Sequence, residues 1–224
     1  MFEDLIHTPE SWSKALSSRT FRNQLAITLL VFGGICLHNF HYLRVWQARP
    51  GIQINDFLLN QMPPVDFSWA IFVLEYFTLL LVFLFTVTQP DRLVKGVQMF
   101  GLIILARTMS VYFFALESPK DMTPLLDPVA NFFLHSKDTF VTKDLFFSGH
   151  VSALALLMLI TVNKYVKRWA LLATTVVSVL ILWQHVHYSM DVFVAPLVSF
   201  VAYKFVLYIH RETRYGLELA GQEW

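Results

Sequence analysis

The stretch LFFSGHVSALALLMLI, residues 145–160, places a Ser-Gly-His sequence at the start of a run that is apolar enough to lie in lipid. A second apolar segment, WQHVHYSMDVFVAP at 183–196, is interrupted by His187 and Asp191. Ionisable side chains are costly inside a bilayer, and where they occur they usually serve a function. The two interruptions therefore indicate a membrane protein and the place to look for its chemistry.

The composition also favours a membrane protein. Of the 224 residues, 56% are hydrophobic and 15% are charged, and the mean hydropathy is +0.53; a soluble domain usually carries about 25% charged residues. The single cysteine, Cys36, excludes a disulfide framework and a cysteine-based metal site. A net charge of +1 argues against nucleic acid as a partner. We expect the lipid bilayer to be the environment of the chain.

Six apolar stretches approach the roughly 20 residues that a helix needs to cross a bilayer. A transmembrane barrel would instead show alternating strands of about 10 residues. We therefore predict an all-α, polytopic membrane protein whose six transmembrane helices lie near 23–43, 68–88, 97–116, 146–163, 169–187 and 191–209. The predicted organisation is an N-terminal interfacial segment at 1–22, a six-span catalytic domain at 23–209 and a cytoplasmic tail at 210–224.

The lysines and arginines predict the orientation, because short loops rich in these residues stay in the cytoplasm. Eleven of the seventeen lie in the N-terminal segment, the 89–96 loop, the 164–168 turn and the end of the chain from Lys204 onward. Both termini should then be cytoplasmic, and the segments that carry His150 and His187 should meet at the non-cytoplasmic face, periplasmic or lumenal. We expect a hydrophilic cavity between spans three to six that opens to that face.

The spacing of the polar residues points to phosphoryl transfer on a lipid headgroup. His187 and Asp191 are four apart and share a face if the segment is helical, so that the carboxylate can hold one ring nitrogen and leave the other as a base or nucleophile. His150 begins an apolar helix, where unpaired N–H groups and the helix dipole attract an anion. Ser148 and Gly149 keep that backbone accessible.

FFSGHVSALAL and HVHYSMDVFVAP resemble the second and third motifs of the type 2 phosphatidic acid phosphatase superfamily, and more narrowly those of its sphingomyelin synthase branch. Asp144, six residues before His150, is similar to that branch. PPVDFSWAIFVLE at 63–75 resembles its proline-rich loop and the glutamate that follows, here Glu75. Arg107 lies in a stretch with the spacing of a third-span motif. The resemblance covers spans two to six.

Departures from the plain phosphatases of the superfamily favour a transferase. Those proteins carry a Lys-x6-Arg-Pro motif and an arginine six residues before the second histidine. Here Tyr42 stands at the lysine position before Arg49, and Ile181 stands at the arginine position. A dianionic monoester favours bidentate cations, whereas a phosphodiester carries one charge. Val151 replaces the threonine of the branch and leaves the substrate open.

The resemblance implies a mechanism in which His187 attacks phosphorus to form a phosphohistidine and Asp191 orients it. His150 would protonate the departing diacylglycerol and then deprotonate the acceptor hydroxyl. A phosphocholine- or phosphoethanolamine-type headgroup would move from a glycerophospholipid to a lipid acceptor such as ceramide or diacylglycerol, with no metal and no cofactor. The candidate substrate-binding residues are Asp144, Ser148, Gly149, Arg107, Glu75 and Tyr188.

Other functions remain open at this point. Water in place of the acceptor would make the same His/His/Asp site a lipid phosphate phosphatase or a phospholipase C-type hydrolase. A small lipid transporter could use the same polar cluster without catalysis. A membrane di-iron site on His38, His41 and His185 is disfavoured, because such sites use paired His-x-x-His-His clusters.

Two intramembrane charges and one loop acid complete the candidates. Glu75 and Arg107 should form an ion pair or face a headgroup, because an unpaired charge within the bilayer is costly. Asp127, in the long loop after span three, is a weaker candidate for an additional acid, and a solvated loop residue is the plainer interpretation.

Overall fold

A computed structural model describes residues 11–127, 143 and 145–211 of the chain. Its helices are α1 (Trp12–Ser17), α2 (Arg19–Ala48), α3 (Ser68–Thr86), α4 (Pro90–Phe113), α5 (Gly149–Ile160), α6 (Lys164–Trp183) and α7 (Ser189–Ile209), with a 3₁₀ turn at Leu59–Gln61. Between the described residues, an isolated parallel bridge joins Ile52 to Leu116, and no strand forms. The all-α prediction is confirmed for this part of the chain.

Five helices of the described part are long and apolar enough to cross a membrane: Arg19–Tyr42 within α2, and α3, α4, α6 and α7. This is consistent with a polytopic membrane protein. α5 has only 12 residues and is therefore about 18 Å long, whereas the hydrocarbon core is roughly 30 Å thick. The prediction of six full spans is not confirmed, because the helix predicted at 146–163 is too short.

Polar caps at both ends explain the shortness of α5. The Ser148 side chain accepts a hydrogen bond from Val151 N and begins the helix. At the other end, Thr161 is extended, and the Asn163 side chain accepts from Tyr165 N at 2.9 Å to begin α6. Such caps satisfy backbone groups that a continuing helix would otherwise have bonded. The apolar run therefore extends beyond the helix that it forms.

The predicted N-terminal segment at 1–22 overlaps α2, which begins at Arg19. α1 lies against the start of α2 and α4, and Trp12 Nε1 donates to Val87 O at 2.6 Å. Residues 1–10 and 212–224 lie outside the described part of the chain. The division into 1–22, 23–209 and 210–224 therefore stays a prediction.

The short helix α5 lies at the centre of the bundle, packed against α3, α4, α6 and α7. One face of it is almost inaccessible to solvent, and the buried residues of that face include Val151, Leu154 and Ala155. α2 packs along α4 at the edge. Burial of α5 by four neighbours fixes its polar N-terminus within the bundle.

Loops join the helix ends around this N-terminus. The Gln184 side chain, after α6, accepts from Phe67 N at 2.9 Å at the start of α3. Ser148 N donates to Asp191 O at 3.0 Å and links the starts of α5 and α7. The ends of α4 and α6 and the starts of α3, α5 and α7 therefore lie at one end of the bundle, where both histidine motifs meet.

Candidate active site

His187 and Asp191 form a buried pair between α6 and α7. His187 Nδ1 lies 3.1 Å from Asp191 Oδ2, and the two residues are 3% and 2% exposed. The same carboxylate oxygen accepts from Tyr188 N at 3.2 Å. Because a carboxylate only accepts, Nδ1 of the neutral ring carries the hydrogen and Nε2 keeps its lone pair. This is the geometry of an oriented base or nucleophile.

The charge state of His187 depends on its surroundings. Burial lowers the pKa of His187, the hydrogen bond and charge of Asp191 act in the opposite direction, and the charges of Arg107 and His150 lower the pKa further. Burial outweighs the carboxylate, so the ring is neutral at pH 7. His150 and Arg107 therefore both act electrostatically on His187.

His150 has a carboxylate partner of its own. His150 Nδ1 lies 2.8 Å from Glu75 Oε2 on α3. The edge of Phe72 packs against the His150 ring with 5.6 Å between centroids. The side chain of His150 is 26% exposed, against 4% for His187. The site thus holds two imidazoles, each with Nδ1 on a carboxylate.

Arg107 lies directly over Gly149 at the start of α5. A Cβ atom built on Gly149 would lie 2.6 Å from Cζ of Arg107, so the guanidinium occupies the place that a side chain would take. The first N–H groups of a helix have no partner within the helix, and they favour anions together with the helix dipole. Arg107 and the start of α5 therefore place two positive elements side by side.

Phe146, two residues before Ser148, has a φ of 96°. This left-handed backbone is unfavourable for phenylalanine, and such strain persists only where the surroundings impose it. The Phe146 ring stacks on Phe114 with 4.3 Å between centroids, and Ser148 N is held by Asp191 O at 3.0 Å. These contacts hold the entry to α5 in a strained conformation beside the site.

Residues 143–209 match the family described as PAP2 superfamily C-terminal. The match includes His150, His187 and Asp191 and covers less than a third of the 224 residues. It supports the type 2 phosphatidic acid phosphatase superfamily, and with it an enzyme of the lipid phosphatase or phosphotransferase kind. Comparison with curated protein sequences gives no significant match.

Glu75 and Arg107 come from α3 and α4, outside the region that matches the PAP2 superfamily. The structure nevertheless brings both to the start of α5: Glu75 contacts His150, and Arg107 contacts Gly149. Asp144 lies outside the described residues, so its predicted role stays a prediction.

Tyr188 lies within the region that matches the PAP2 superfamily, and its side chain packs against two loops. It is 1% exposed, and its hydroxyl donates to Glu117 O at 2.9 Å and accepts from Ile54 N at 3.1 Å. Burial raises the pKa of Tyr188, so the phenol keeps its hydrogen. This geometry favours a structural role, and the predicted contact with substrate stays a prediction.

Asp127 is more than a solvated loop residue. The Tyr76 hydroxyl contacts both of its carboxylate oxygens at 2.9 Å. Tyr76 follows Glu75 in α3 and stacks on Phe72 with 5.8 Å between centroids. Asp127 is therefore attached to the helix that carries the carboxylate partner of His150.

A cavity of about 390 Å³ lies at the loop end of the bundle, and its lining includes Asp56, Lys120, Asp121, His185 and Tyr188. His150, Arg107 and His187 do not line it. The cavity is therefore not the one predicted between spans three to six. The loops after α2 and α4 form it together with the turn between α6 and α7.

Two neighbours of the site were not among the predicted site residues. Phe72 lies three residues before Glu75, about one helical turn, and helical spacing could have placed it beside His150. His185 was considered only as a metal ligand, although the pattern His185-x-His187 puts it next to the candidate nucleophile.

Proposed function

We propose that the protein is a membrane lipid phosphotransferase. It moves a phosphocholine- or phosphoethanolamine-type headgroup from a glycerophospholipid to the hydroxyl of a lipid acceptor such as ceramide or diacylglycerol. One observation carries this proposal: the charge of His150 acts on the pKa of His187, and each of the two histidines has Nδ1 on a carboxylate. Two imidazole nitrogens that act on the same substrate suit a reaction that needs one nucleophile and one acid–base group.

In the first step, Nε2 of His187 attacks the phosphorus of the donor lipid. An N–P bond forms, and the bond from phosphorus to the diacylglycerol oxygen breaks. The leaving oxygen takes a proton from His150, whose ring Glu75 orients through Nδ1. Asp191 stabilises the positive charge that develops on the His187 ring, as a buried carboxylate does for a histidine that acts as a base.

In the second step, the acceptor hydroxyl gives its proton to His150, and its oxygen attacks the phosphorus on His187. The N–P bond breaks, and His187 regains its lone pair. The headgroup, phosphorus included, is then attached to the acceptor, and both histidines are in their starting states. With water as the acceptor, the same two steps release the phosphorylated headgroup.

Arg107 and the N-terminus of α5 would hold the phosphate oxygens during both steps. One guanidinium and one helix start balance the single charge of a phosphodiester. Such fixed donors are most effective where charge develops in the transition state. The greater exposure of His150, 26% against 4% for His187, indicates that a lipid reaches His187 from the His150 side.

The proposal includes two further parts: that the protein is similar to the sphingomyelin synthase branch in its reaction, and that the site faces the non-cytoplasmic side of the membrane. The motif resemblance supports the branch. The distribution of lysine and arginine supports the location. The loops at the end of the bundle that holds the site contain few of these residues, and such loops tend to be non-cytoplasmic.

Purified protein incubated with labelled phosphatidylcholine and phosphatidylethanolamine, with and without ceramide, tests the proposal. When ceramide is present, we expect two products: ceramide that carries the labelled phospho-headgroup, and diacylglycerol. Water-soluble headgroup phosphate in both conditions would identify a hydrolase instead. His187→Ala should abolish turnover, whereas His41→Ala, an exposed histidine on α2, should not. Lipid binding or transport without any change of covalent structure would favour a transporter and overturn the proposal.

A further inference from the structure

The turn between α6 and α7 contains a second histidine in an unusual setting. His185 is 5% exposed, and its φ of 56° is left-handed, a conformation that is unfavourable for a residue with a side chain. Its neighbour Gln184 is fully buried and bonds to the start of α3. The surroundings therefore impose the conformation of this turn.

Both ring nitrogens of His185 face backbone carbonyl oxygens. Nδ1 lies 3.2 Å from Lys120 O, and Nε2 lies 3.1 Å from Met62 O. A carbonyl oxygen can only accept, and a neutral imidazole can donate from one nitrogen alone. Only the doubly protonated ring satisfies both contacts, and the neutral ring would point a lone pair at one of the oxygens.

The charges around the ring suit a cation. The loop after α2 contributes Asp56 to the same cavity, the loop after α4 contributes Lys120 and Asp121, and the start of α7 contributes Tyr188. Burial acts to raise the pKa of Asp56, but hydrogen bonds from Ser189 and the backbone outweigh it and lower the pKa, so Asp56 is ionised. Two carboxylates and one lysine thus line the same cavity as His185.

We propose that His185, in its doubly protonated form, is a positioning residue that clips the loop at Met62 and the loop at Lys120 to the turn carrying His187. His187 follows two residues later, and Tyr188 N shares the carboxylate oxygen that orients it. Removal of the ring proton releases one loop and loosens this turn. The effect on catalysis rests on the proposed phosphotransferase function, whereas the effect on the loops does not.

Ring-nitrogen NMR of the full chain in lipid discs, labelled at histidine, tests the charge state without any activity. His185→Asn identifies the signals, because asparagine tolerates left-handed backbone but cannot reach both carbonyls as a double donor. His41→Asn, at an exposed position of α2, is the matched control. We expect hydrogen on both His185 nitrogens at neutral pH. A neutral ring with one bare nitrogen would overturn the proposal.

Hydrogen exchange and activity then test positioning. At neutral pH, His185→Asn should exchange faster at the backbone amides of Met62, Lys120 and Asp121. Its kcat should fall roughly tenfold, the size expected for one charged hydrogen bond. On raising the pH, the wild type should lose loop protection until it matches His185→Asn, while His41→Asn behaves as wild type. Unchanged loop exchange in His185→Asn would overturn the proposal. Faster loop exchange with no headgroup transfer by the wild type would support the clip and contradict the proposed function alone.

Discussion

Gly149 and Arg107 share one small volume at the start of α5. The guanidinium lies where a Cβ atom on Gly149 would stand, with Cζ only 2.6 Å from it. An arginine side chain is flexible at its far end. The protein can therefore still fold with a methyl group at position 149, because the guanidinium can move away. The glycine is therefore required for the position of Arg107 rather than for the helix.

Gly149→Ala should keep the fold and lose activity. We expect a change in the free energy of unfolding within about 1 kcal/mol, and a loss of roughly 100-fold in kcat/KM, since misplacement of a positioning group by about 1 Å has effects of this size. Thermal unfolding and headgroup transfer measure the two quantities. Gly33→Ala, where nothing lies within 4 Å, is the matched control. Full activity of Gly149→Ala would contradict the proposed role of Arg107 in holding the phosphate.

The pKa of His187 predicts the acid side of the pH profile. Burial lowers this pKa, although Asp191 opposes it, so His187, the proposed nucleophile, stays neutral below the ordinary histidine value of about 6.5. We expect the acid limb of kcat/KM, which reports the free enzyme, to fall below that value. Asp191→Asn should move the limb to still lower pH while lowering kcat. A limb above the ordinary value would contradict a buried, neutral His187.

The same shift affects stability. The folded state binds the proton of His187 less readily than the unfolded state, so the unfolded state holds more protons around pH 6. This contribution is fully present above the unfolded pKa and is lost as the pH falls from that value through the lower folded pKa. The free energy of unfolding should therefore decrease on acidification, and His187→Asn should weaken that dependence.

At the scale of elements, the connection after α2 is held against the end of α4. Gly51 N donates to Glu117 Oε1 at 2.8 Å, and Lys143 Nζ lies 2.8 Å from the same oxygen. A Cβ atom on Gly51 would lie 2.6 Å from Leu116 C and 2.8 Å from Glu117 N. Both are backbone atoms that cannot turn aside.

Gly51→Ala should therefore destabilise the protein, in contrast to Gly149→Ala. We expect a loss of about 1–3 kcal/mol in the free energy of unfolding, as for overpacking elsewhere. Thermal unfolding in detergent measures it against Gly34→Ala, where the added methyl group meets open space. Equal stability of the two variants would show that the α2–α4 connection is not packed as described.

Helix boundaries show how far an apolar pattern reaches. The stretch predicted at 68–88 corresponds to α3, Ser68–Thr86. α4 begins at Pro90 rather than at 97, because its first turns carry charges that an apolar window excludes but a helix accepts. The predicted length of α5 was too great, because Asn163 caps the start of the next helix. Apolar length predicts burial in lipid, and caps decide where the helices end.

At the scale of the whole molecule, the site combines one local pair with one distant pair. His187 and Asp191 lie four residues apart, so helical spacing predicted their contact. Glu75 and His150 lie 75 residues apart and meet because α3 packs on α5. The sequence indicated that Glu75 needs a partner in the bilayer, but the identity of the partner depends on tertiary packing.

The covalent intermediate tests the central claim most directly. Rapid quenching of the purified protein with labelled phosphatidylcholine, followed by peptide mass spectrometry without acid, should find the phosphorylated headgroup on His187. His187→Ala should show neither adduct nor transfer, and His41→Ala should show both. Headgroup transfer at the normal rate by His187→Ala, or an adduct on another residue, would contradict the account.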